Sequence, residues 1–194
     1  MQDSVSLPHL READQLQALE LDELAARAAL GDRAAFERIY NLLVDDLYSY
    51  IRGQCRNETV AEDLVANVFL KAWRSAKGYR PSSHTFRRWI FTIARNEVRD
   101  FWRASQRTLP MVEFDISDER QPEPESDPVE VRRLVQQALA TLTEEQRQVV
   151  VLRYFSNKSH EEIATILGKR EGAVRAQLMR ALRQMRKVMG DATP

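Results

Sequence analysis

The sequence has little cysteine and no long apolar stretch, and both shortages narrow the class of protein. Cys55 is the only cysteine among 194 residues, so the chain cannot form an internal disulfide or a paired-cysteine metal site, and a reducing compartment is expected. No apolar run has the length of a membrane span, and the N-terminus lacks the basic, apolar and small-residue order of a signal peptide. We therefore expect a cytoplasmic protein with no membrane insertion.

The groups that catalysis requires are not clustered in the sequence. His9, His84 and His160 lie far apart, and no glycine-rich phosphate loop, nucleophile elbow or metal-spaced ligand set occurs. An active site needs several such groups brought together. The sequence therefore favours a protein that is not an enzyme and that binds neither a metal nor another cofactor.

The net charge of zero conceals four blocks of alternating sign. Residues 1–30 carry six acidic and two basic side chains, and residues 107–130 carry eight and two. Residues 31–106 carry thirteen bases against nine acids, and residues 131–194 carry twelve against six. A solvated helical face explains one basic patch, whereas two separate basic modules favour contact with nucleic acid.

The apolar residues of the first basic module recur at three- and four-residue steps, which predicts amphipathic helices and an all-α fold. One helix is predicted from Ala34, and a second around residues 60–73 ends before Gly78 and Pro81, which do not continue a helix. The acidic N-terminal extension, residues 1–30, contains a further amphipathic stretch of leucines and alanines. This stretch either covers the basic module or lengthens its first helix, and the second interpretation is favoured.

The segment FRRWIFTIARNEVRDFWR, residues 86–103, combines five arginines with five aromatic residues. Helical spacing directs an apolar set toward a core, namely Ile90, Ile93, Ala94, Val98 and Phe101. The same spacing puts a second set on one exposed stripe, namely Arg88, Phe91, Arg95, Arg99 and Trp102. Cations that hold a phosphate backbone beside rings on which bases stack suit opened DNA. Trp73, Trp89 and Phe101 can alternatively be interpreted as core-filling residues.

Residues 107–130 contain four prolines and eight acidic residues. They hold too few apolar side chains to fold alone, so we expect a flexible acidic linker between two small helical domains. Helical periodicity resumes at Val131, and Thr143 with Gln146 three positions later matches a capping box ahead of an apolar run. Ser159 gives another helix-start signal.

The C-terminal module has the spacing of a helix-turn-helix, in which a small residue allows close crossing, a glycine makes the turn and a later apolar residue seats the second helix. The matching residues are Ile163, Ala164, Leu167, Gly168, Val174 and Leu178. The second helix, residues 171–189, is expected to bury Val174, Leu178, Leu182 and Met185. Base contacts are expected from Arg170, Glu171, Arg175 and Gln177, and phosphate contacts from Arg180, Arg183 and Lys187. A helical hairpin that only closes a bundle is the alternative.

Two motif sets, in this order, give the chain a resemblance to a known family. AEDLVANVFLKAWR and FRRWIFTIARNEVRDFWR precede the acidic linker, and LTEEQRQVVVLRYFSNKSHEEIATILGKREGAVRAQLMRALRQMR follows it. Over residues 30–188 the chain resembles the extracytoplasmic-function (ECF, group IV) RNA polymerase sigma factors of the sigma-70 superfamily. The resemblance implies sigma region 2 at residues 31–106, sigma region 4 at residues 131–190, and promoter-specific initiation of transcription.

The resemblance also implies partners and contact residues. The clamp helices of RNA polymerase core would bind Asp63, Asn67, Leu70 and Lys71. The minus-ten element of promoter DNA would be recognised and melted by Arg87, Arg88, Phe91, Arg95, Asn96, Arg99, Trp102 and Arg103, with an extruded base held by the loop at residues 75–85. Region 4 would read the minus-thirty-five element, and an anti-sigma factor that wedges between the two modules is the implied inhibitor.

Three residues depart from the family pattern. Ala66 and Asn67 stand where glutamine followed by an acid is usual, and Lys169 stands where an apolar turn residue is common. One alternative function stays open, a stand-alone two-domain helix-turn-helix transcriptional regulator that binds duplex DNA without polymerase. That alternative gives no reason for the motif at residues 61–74.

Overall fold

The computed structural model describes residues 8–55, 57–79, 85–108 and 128–190, and this part of the chain contains helices and no strand. The all-α prediction is confirmed. The helices are, in chain order, α1 (Pro8–Ala29), α2 (Arg33–Cys55), α3 (Glu58–Ser75), α4 (Phe86–Thr108), α5 (Pro128–Ala140), α6 (Glu144–Tyr154), α7 (His160–Leu167) and α8 (Glu171–Gly190), with a 3-10 turn at Ala76–Gly78. Among these helices, none combines the length and the apolar character that crossing a bilayer requires.

The chain divides into two compact units, the first built around α1 to α4 and the second around α5, α6 and α8. α4 runs to Thr108, and α5 begins at Pro128, ahead of the predicted start at Val131. A proline is tolerated in the first helical turn because its missing N–H would have no intrahelical partner there. Residues 109–127, most of the predicted linker, lie outside the described residues.

The N-terminal segment forms a separate helix, so the favoured interpretation that it lengthens the next helix is wrong. α1 ends at Ala29, and Gly31 adopts a φ of 97°, a left-handed conformation that interrupts the helical path. Asp32 then accepts a hydrogen bond from the Ala35 N–H at 3.0 Å and pairs with Arg27 at 2.7 Å. The Ala35 N–H and the Arg27 guanidinium hold the pKa of Asp32 below its usual value.

α1 packs against α2 and the 3-10 turn. Its inner face consists of Leu21, Leu24, Ala25 and Ala28, all of them buried. The N-terminal extension therefore covers part of the first basic module, in agreement with the other of the two interpretations given above. The cause is the apolar stripe of α1, because its removal from water lowers the free energy of the folded chain.

Each of α2, α3 and α4 buries an apolar stripe, as the periodicity predicts. Ile39, Leu43, Leu47 and Ile51 of α2 are fully buried. The buried apolar side chains of the other two helices include Ala61, Leu64, Val65, Val68, Phe69, Ala72, Ile90, Ala94 and Val98. α3 begins at an Asn57 cap, whose side chain accepts from the Val60 N–H at 3.0 Å.

Aromatic rings fill the first unit. Tyr79, Phe86 and Trp89 contact one another with ring centroids 5.2 to 5.3 Å apart. Trp73 packs edge-on against Phe36 at 4.9 Å. These contacts support the alternative interpretation of Trp73 and Trp89 as packing residues.

Cys55 lies in the last turn of α2 and is 4% exposed. Burial raises the pKa of its thiol to about 12. At neutral pH the sulfur therefore stays protonated and is a poor nucleophile.

The second unit begins its helices with reciprocal caps. Thr143 Oγ1 accepts from the Gln146 N–H at 3.3 Å, and Gln146 Oε1 accepts from the Thr143 N–H at 3.0 Å, which confirms the predicted capping box. Ser159 and Glu162 exchange the same two hydrogen bonds at 3.1 and 2.7 Å, and α7 follows as predicted. Each cap satisfies backbone N–H groups that the first helical turn leaves without a partner.

The predicted helix-turn-helix is present as α7, a turn and α8. Gly168 adopts a φ of 63°, and the Lys169 N–H donates to the Ala164 carbonyl at 2.9 Å, so glycine makes the turn as expected. Val174 and Leu178 of α8 are buried as predicted, together with Ala181. Leu182 and Met185, which were expected to be buried, are only half-buried.

Thr143→Ala should weaken the start of α6 without changing the fold. Loss of an N-cap costs about 1 kcal/mol, which corresponds to roughly fivefold faster hydrogen exchange at the Gln146 amide. Thr143→Ser keeps the accepting hydroxyl and is the matched control. Equal exchange rates in both variants would show that the cap does not stabilise this helix.

Candidate nucleic-acid and protein interfaces

The four residues predicted to contact polymerase lie on one outer face of α3. Asp63, Asn67, Leu70 and Lys71 follow helical steps of four, three and one, and all four are exposed. Leu70 is 45% exposed and adds apolar surface to this side of the helix. We call this set the α3 outer face.

Lys71 connects the α3 outer face to α4. Its Nζ pairs with the carboxylate of Glu97, which is largely buried, while the lysine side chain is 54% exposed. The lysine therefore combines a structural contact with an accessible position on the helix surface.

Tyr40 is a surface residue, although the three- and four-residue spacing of apolar residues in α2 would include it in the buried stripe. Its ring is 43% exposed and lies 4.6 Å from the ring of Phe69, the neighbour of Leu70 on α3. The signal was available, because Tyr40 and Ile39 are adjacent and neighbouring positions point about 100° apart on a helix. Tyr40 thus adds apolar surface beside the α3 outer face.

The basic face of α4 is built from residues that repeat at helical spacing. Arg88, Arg95 and Arg99 follow steps of seven and four, and Trp102 lies one turn further along. Arg99 and Arg103 are exposed, whereas Arg88, Arg95, Asn96 and Trp102 are half-exposed. We call these six residues the arginine face.

Two of the predicted minus-ten contacts lie in the interior instead, so the expectation that Phe91 shares the exposed stripe is wrong, and Arg87 does not present its side chain on the arginine face. Arg87 is 8% exposed, and its guanidinium pairs with the Asp46 carboxylate of α2 at 2.6 Å. Phe91 is 3% exposed and packs edge-on against Tyr50, with ring centroids 5.4 Å apart. Both side chains hold α4 on α2 and are unavailable to a strand of DNA. The loop at residues 75–85 falls partly outside the described residues, which omit 80–84.

The second basic surface lies on α8 and the turn before it. Six of the predicted DNA contacts are exposed, namely Arg170, Glu171, Arg175, Arg180, Arg183 and Lys187. Arg175 Nη2 pairs with Glu171 Oε1 at 2.6 Å, which orients the guanidinium along the exposed side of the first turn.

Gln177 does not share this surface, so the expectation that it faces DNA is wrong. It lies two residues from Arg175, which is about 200° around the helix. Its Nε2 donates to Glu145 of α6 at 2.6 Å, and the side chain is half-buried. Lys169, a departure from the family pattern, pairs with the same carboxylate at 3.0 Å. Glu145 therefore joins α6 to both the turn and α8.

The described residues offer no site for metal chemistry. No group of three histidine, cysteine, aspartate or glutamate side chains is close enough there to hold an ion. His160, at the start of α7, has its pKa lowered by burial and by Arg153 and Arg175, so it is neutral at pH 7 and adds no charge to the basic surface.

Two helical modules, each with a basic helix face and one of them with a helix-turn-helix, define the class as a DNA-binding transcription factor. Residues 39–108 match the family model described as Sigma-70 region 2, and residues 132–185 match Sigma-70, region 4. The ECF RNA polymerase sigma factor BldN of Streptomyces coelicolor is 31% identical over 94% of this chain and 71% of its own length. The chain belongs to the ECF RNA polymerase sigma factors, which direct promoter-specific initiation of transcription.

Solved structures show the same fold. CnrH in complex with the cytosolic domain of CnrY is 26% identical, with a TM-score of 0.64 over 90% of this chain and 99% of that chain. The sigma factor RpoE in complex with the anti-sigma factor NepR, from Bartonella quintana, is 23% identical, with a TM-score of 0.54 over 80% and 96%. The two-module helical architecture is therefore shared with known sigma factors.

Arg87→Ala should make the first unit unfold more easily, because it removes the guanidinium that pairs with the partly buried Asp46 carboxylate. Breaking such a pair costs about 3 kcal/mol. Arg99→Ala is the matched control, since it removes the same side chain from an exposed position of α4 and should change stability by about 0.5 kcal/mol or less. Thermal unfolding followed by circular dichroism compares the two. An Arg87→Ala protein as stable as Arg99→Ala would contradict the structural role of this pair.

Proposed function

We propose that this sigma factor binds RNA polymerase core through the α3 outer face, opens the minus-ten element with the arginine face of α4, and reads the minus-thirty-five duplex with α8. The observation that carries the proposal is the presence of an exposed cationic helix face in each of two separate units. Each such face suits a phosphate backbone. Two faces on one chain suit two elements of one promoter.

The proposed role of α8 follows from the order of its charged residues between the N-terminal and the C-terminal end of the helix. In a helix-turn-helix the N-terminal part of the second helix approaches base edges in the major groove. Arg170, Glu171 and Arg175 occupy that part and are exposed. Arg180, Arg183 and Lys187 lie further along and suit contacts with phosphates.

The role of α4 follows from the mixture of groups on the arginine face. Arg95 and Arg99 can hold the backbone of a strand, while Trp102 is half-exposed one turn beyond Arg99 and offers a ring to an unpaired base. Stacking of one base on an aromatic side chain contributes about 1 to 3 kcal/mol. That free energy offsets part of the loss of base pairing when the duplex opens.

The α3 outer face suits a protein partner rather than DNA. Asp63 contributes a negative charge, which repels phosphates, and Leu70 and Tyr40 contribute exposed apolar surface. Exposed apolar surface next to polar groups is characteristic of protein interfaces. The partner proposed here is the clamp-helix region of RNA polymerase core.

A protein inhibitor is part of the proposal. The similar protein CnrH was solved in complex with the cytosolic domain of CnrY. We propose that this chain also binds a protein partner, an anti-sigma factor that hides its polymerase-facing surfaces. The protein would then act by binding alone, without catalysis, in the cytoplasm.

The proposed domain limits keep region 2 at residues 31–106 and region 4 at residues 131–190. The support for a separate second domain is the core of α5, α6 and α8, in which Ala138, Val149 and Val174 are fully buried. The acidic residues 107–130 would join the two regions and let each reach its own element.

Transcription in vitro with purified RNA polymerase core and a library of promoter fragments tests the proposal. Specific transcripts should appear only when both this protein and core are present. A stand-alone helix-turn-helix regulator would instead bind a closed promoter duplex without core and give no new initiation. That pattern would replace the sigma-factor mechanism with the alternative.

Arg175→Ala and Arg183→Ala should differ in how they affect promoter variants. Loss of Arg175 should cost about 1 to 3 kcal/mol at one base pair of the minus-thirty-five element and relax discrimination there. Loss of Arg183 should weaken initiation at all variants alike. It should also reduce the slope of log binding constant against log salt concentration by about one, because one phosphate contact is lost. Uniform losses from both substitutions, measured over a set of point-mutated promoters, would count against the assignment of Arg175.

Trp102→Ala should slow promoter opening but spare duplex binding by the polymerase complex, because stacking requires an unpaired base. Permanganate reactivity of promoter thymines measures opening, and mobility-shift titration measures binding. Arg183→Ala is a useful comparison, since it should lower binding first. Unchanged thymine reactivity with Trp102→Ala would remove this residue from the opening step.

A further inference from the structure

A single carboxylate of α1 holds the start of α4. Asp22 Oδ1 accepts a hydrogen bond from the Phe86 backbone N–H at 2.7 Å and another from the Tyr79 hydroxyl at 3.2 Å. Phe86 is the first residue of α4, and Tyr79 directly follows the 3-10 turn that ends at Gly78. Asp22 is 57 residues from Tyr79 and 64 from Phe86, so the contact depends on the packing of α1 against the rest of the first unit.

The environment makes this contact a strong one. The first backbone N–H groups of a helix have no intrahelical acceptor, and a negative charge is favoured at this end of the helix dipole. Tyr79 is 5% exposed and Phe86 is 1% exposed, so neither donor can turn to bulk water instead. Burial and the Asp22 carboxylate raise the pKa of Tyr79, which keeps its hydroxyl protonated and able to donate.

The contact lies at the end of α4 where the arginine face begins. Arg88 is two residues beyond Phe86 on the same helix, and Thr85 Oγ1 accepts from the Arg88 N–H at 3.4 Å. Trp89, one residue further, packs against both Tyr79 and Phe86. A change in the direction of this first turn therefore moves the beginning of the arginine face relative to the 3-10 turn after α3.

We infer that Asp22 is a positioning residue for promoter opening, because it holds the N-terminal end of α4 through the Phe86 N–H and acts on the arginine face only through that helix. This inference rests on the proposed function of the arginine face. It assigns to the acidic N-terminal helix a part in the opening step that the family resemblance did not suggest.

Asp22 is not needed to hold α1 in place. The buried side chains Leu21, Leu24, Ala25 and Ala28 attach the helix through apolar contacts, and Arg38 pairs with Glu20 at its edge at 2.9 Å. Removal of the Asp22 carboxylate should therefore leave the fold in place and release only the start of α4. This separation allows the positioning role to be measured.

The experiment uses the full-length protein reconstituted with RNA polymerase core on a promoter that the library has identified. Opening is measured by permanganate reactivity on the duplex promoter, and transcription is measured in parallel on the same promoter with a pre-melted bubble at the minus-ten element. Asp22→Ala should reduce the rate of opening on the duplex about tenfold, since the charge-assisted hydrogen bonds from the Phe86 N–H and the Tyr79 hydroxyl are both lost. Transcription from the bubble and binding to core should stay within about twofold of the original protein.

Three further variants make the test specific. Asp22→Asn keeps an oxygen that accepts from both donors and should recover most of the opening rate. Asp22→Glu keeps the charge but moves it by one methylene, so it should fold and still open slowly. Glu23→Ala removes an exposed carboxylate from the adjacent position of α1 and should behave like the original protein.

The inference is overturned if Asp22→Glu opens the duplex as fast as the original protein, or if Asp22→Ala lowers duplex and bubble transcription by the same factor. The second outcome would mean that Asp22 only supports folding, and circular dichroism of the same preparations would show the loss of helix. Failure of the proposed function gives a different result, because the original protein would then fail to open the duplex at all.

Discussion

The attachment of α4 to the rest of its unit is the constraint on which the first module depends. This helix carries five arginines between residues 86 and 103, and charges of one sign close together favour separation and solvation over burial. Three inward-facing polar groups of α4 have a partner on a neighbouring helix, and two of these partners are carboxylates. Asp46 of α2 pairs with Arg87, and Asp22 of α1 accepts from the Phe86 N–H, while the helix's own Glu97 pairs with Lys71 of α3.

Helical spacing puts Arg88, Arg95, Arg99 and Arg103 on a single side of α4. Arg87 lies on the inward side and is paired there, whereas Arg95 is half-exposed and Arg99 is exposed. The Asp46 carboxylate thus accommodates the one arginine of this set that the spacing directs inward. The same logic applies in the second unit, where Glu145 binds Lys169 and Gln177 and leaves Arg175 on the opposite side of α8.

Most of the fold could be predicted from the sequence, because helix periodicity and caps are local properties. The starts of α6 and α7 were readable from Thr143 with Gln146 and from Ser159, since each capping pair is separated by only three residues. The helix-turn-helix was readable from Gly168 and its apolar neighbours for the same reason. The independence of α1 was harder to predict, because its amphipathic pattern is weak and the break depends on the backbone angle of Gly31.

The errors in the candidate sites have a different cause. Helical spacing puts Phe91 on the exposed stripe and the family resemblance implies a DNA contact for Arg87, but the burial of both depends on Asp46 and Tyr50, which are remote in sequence. Gln177 was assigned to the recognition surface by its position in the chain, although its direction around the helix is opposite to that of Arg175. Residue type and sequence position identify a basic helix, whereas the side that faces outward is decided by contacts with other elements.

Because the thiol of Cys55 is buried, this sigma factor is well suited to spectroscopy with site-specific labels. The sequence contains no other cysteine, and burial raises the pKa of this thiol to about 12. A cysteine introduced at any exposed position would therefore be the sole thiol that a maleimide dye reaches in the folded chain. Fluorophores or spin labels can be attached to either module by one substitution each, and energy transfer between them can follow the two modules without removal of the native residue.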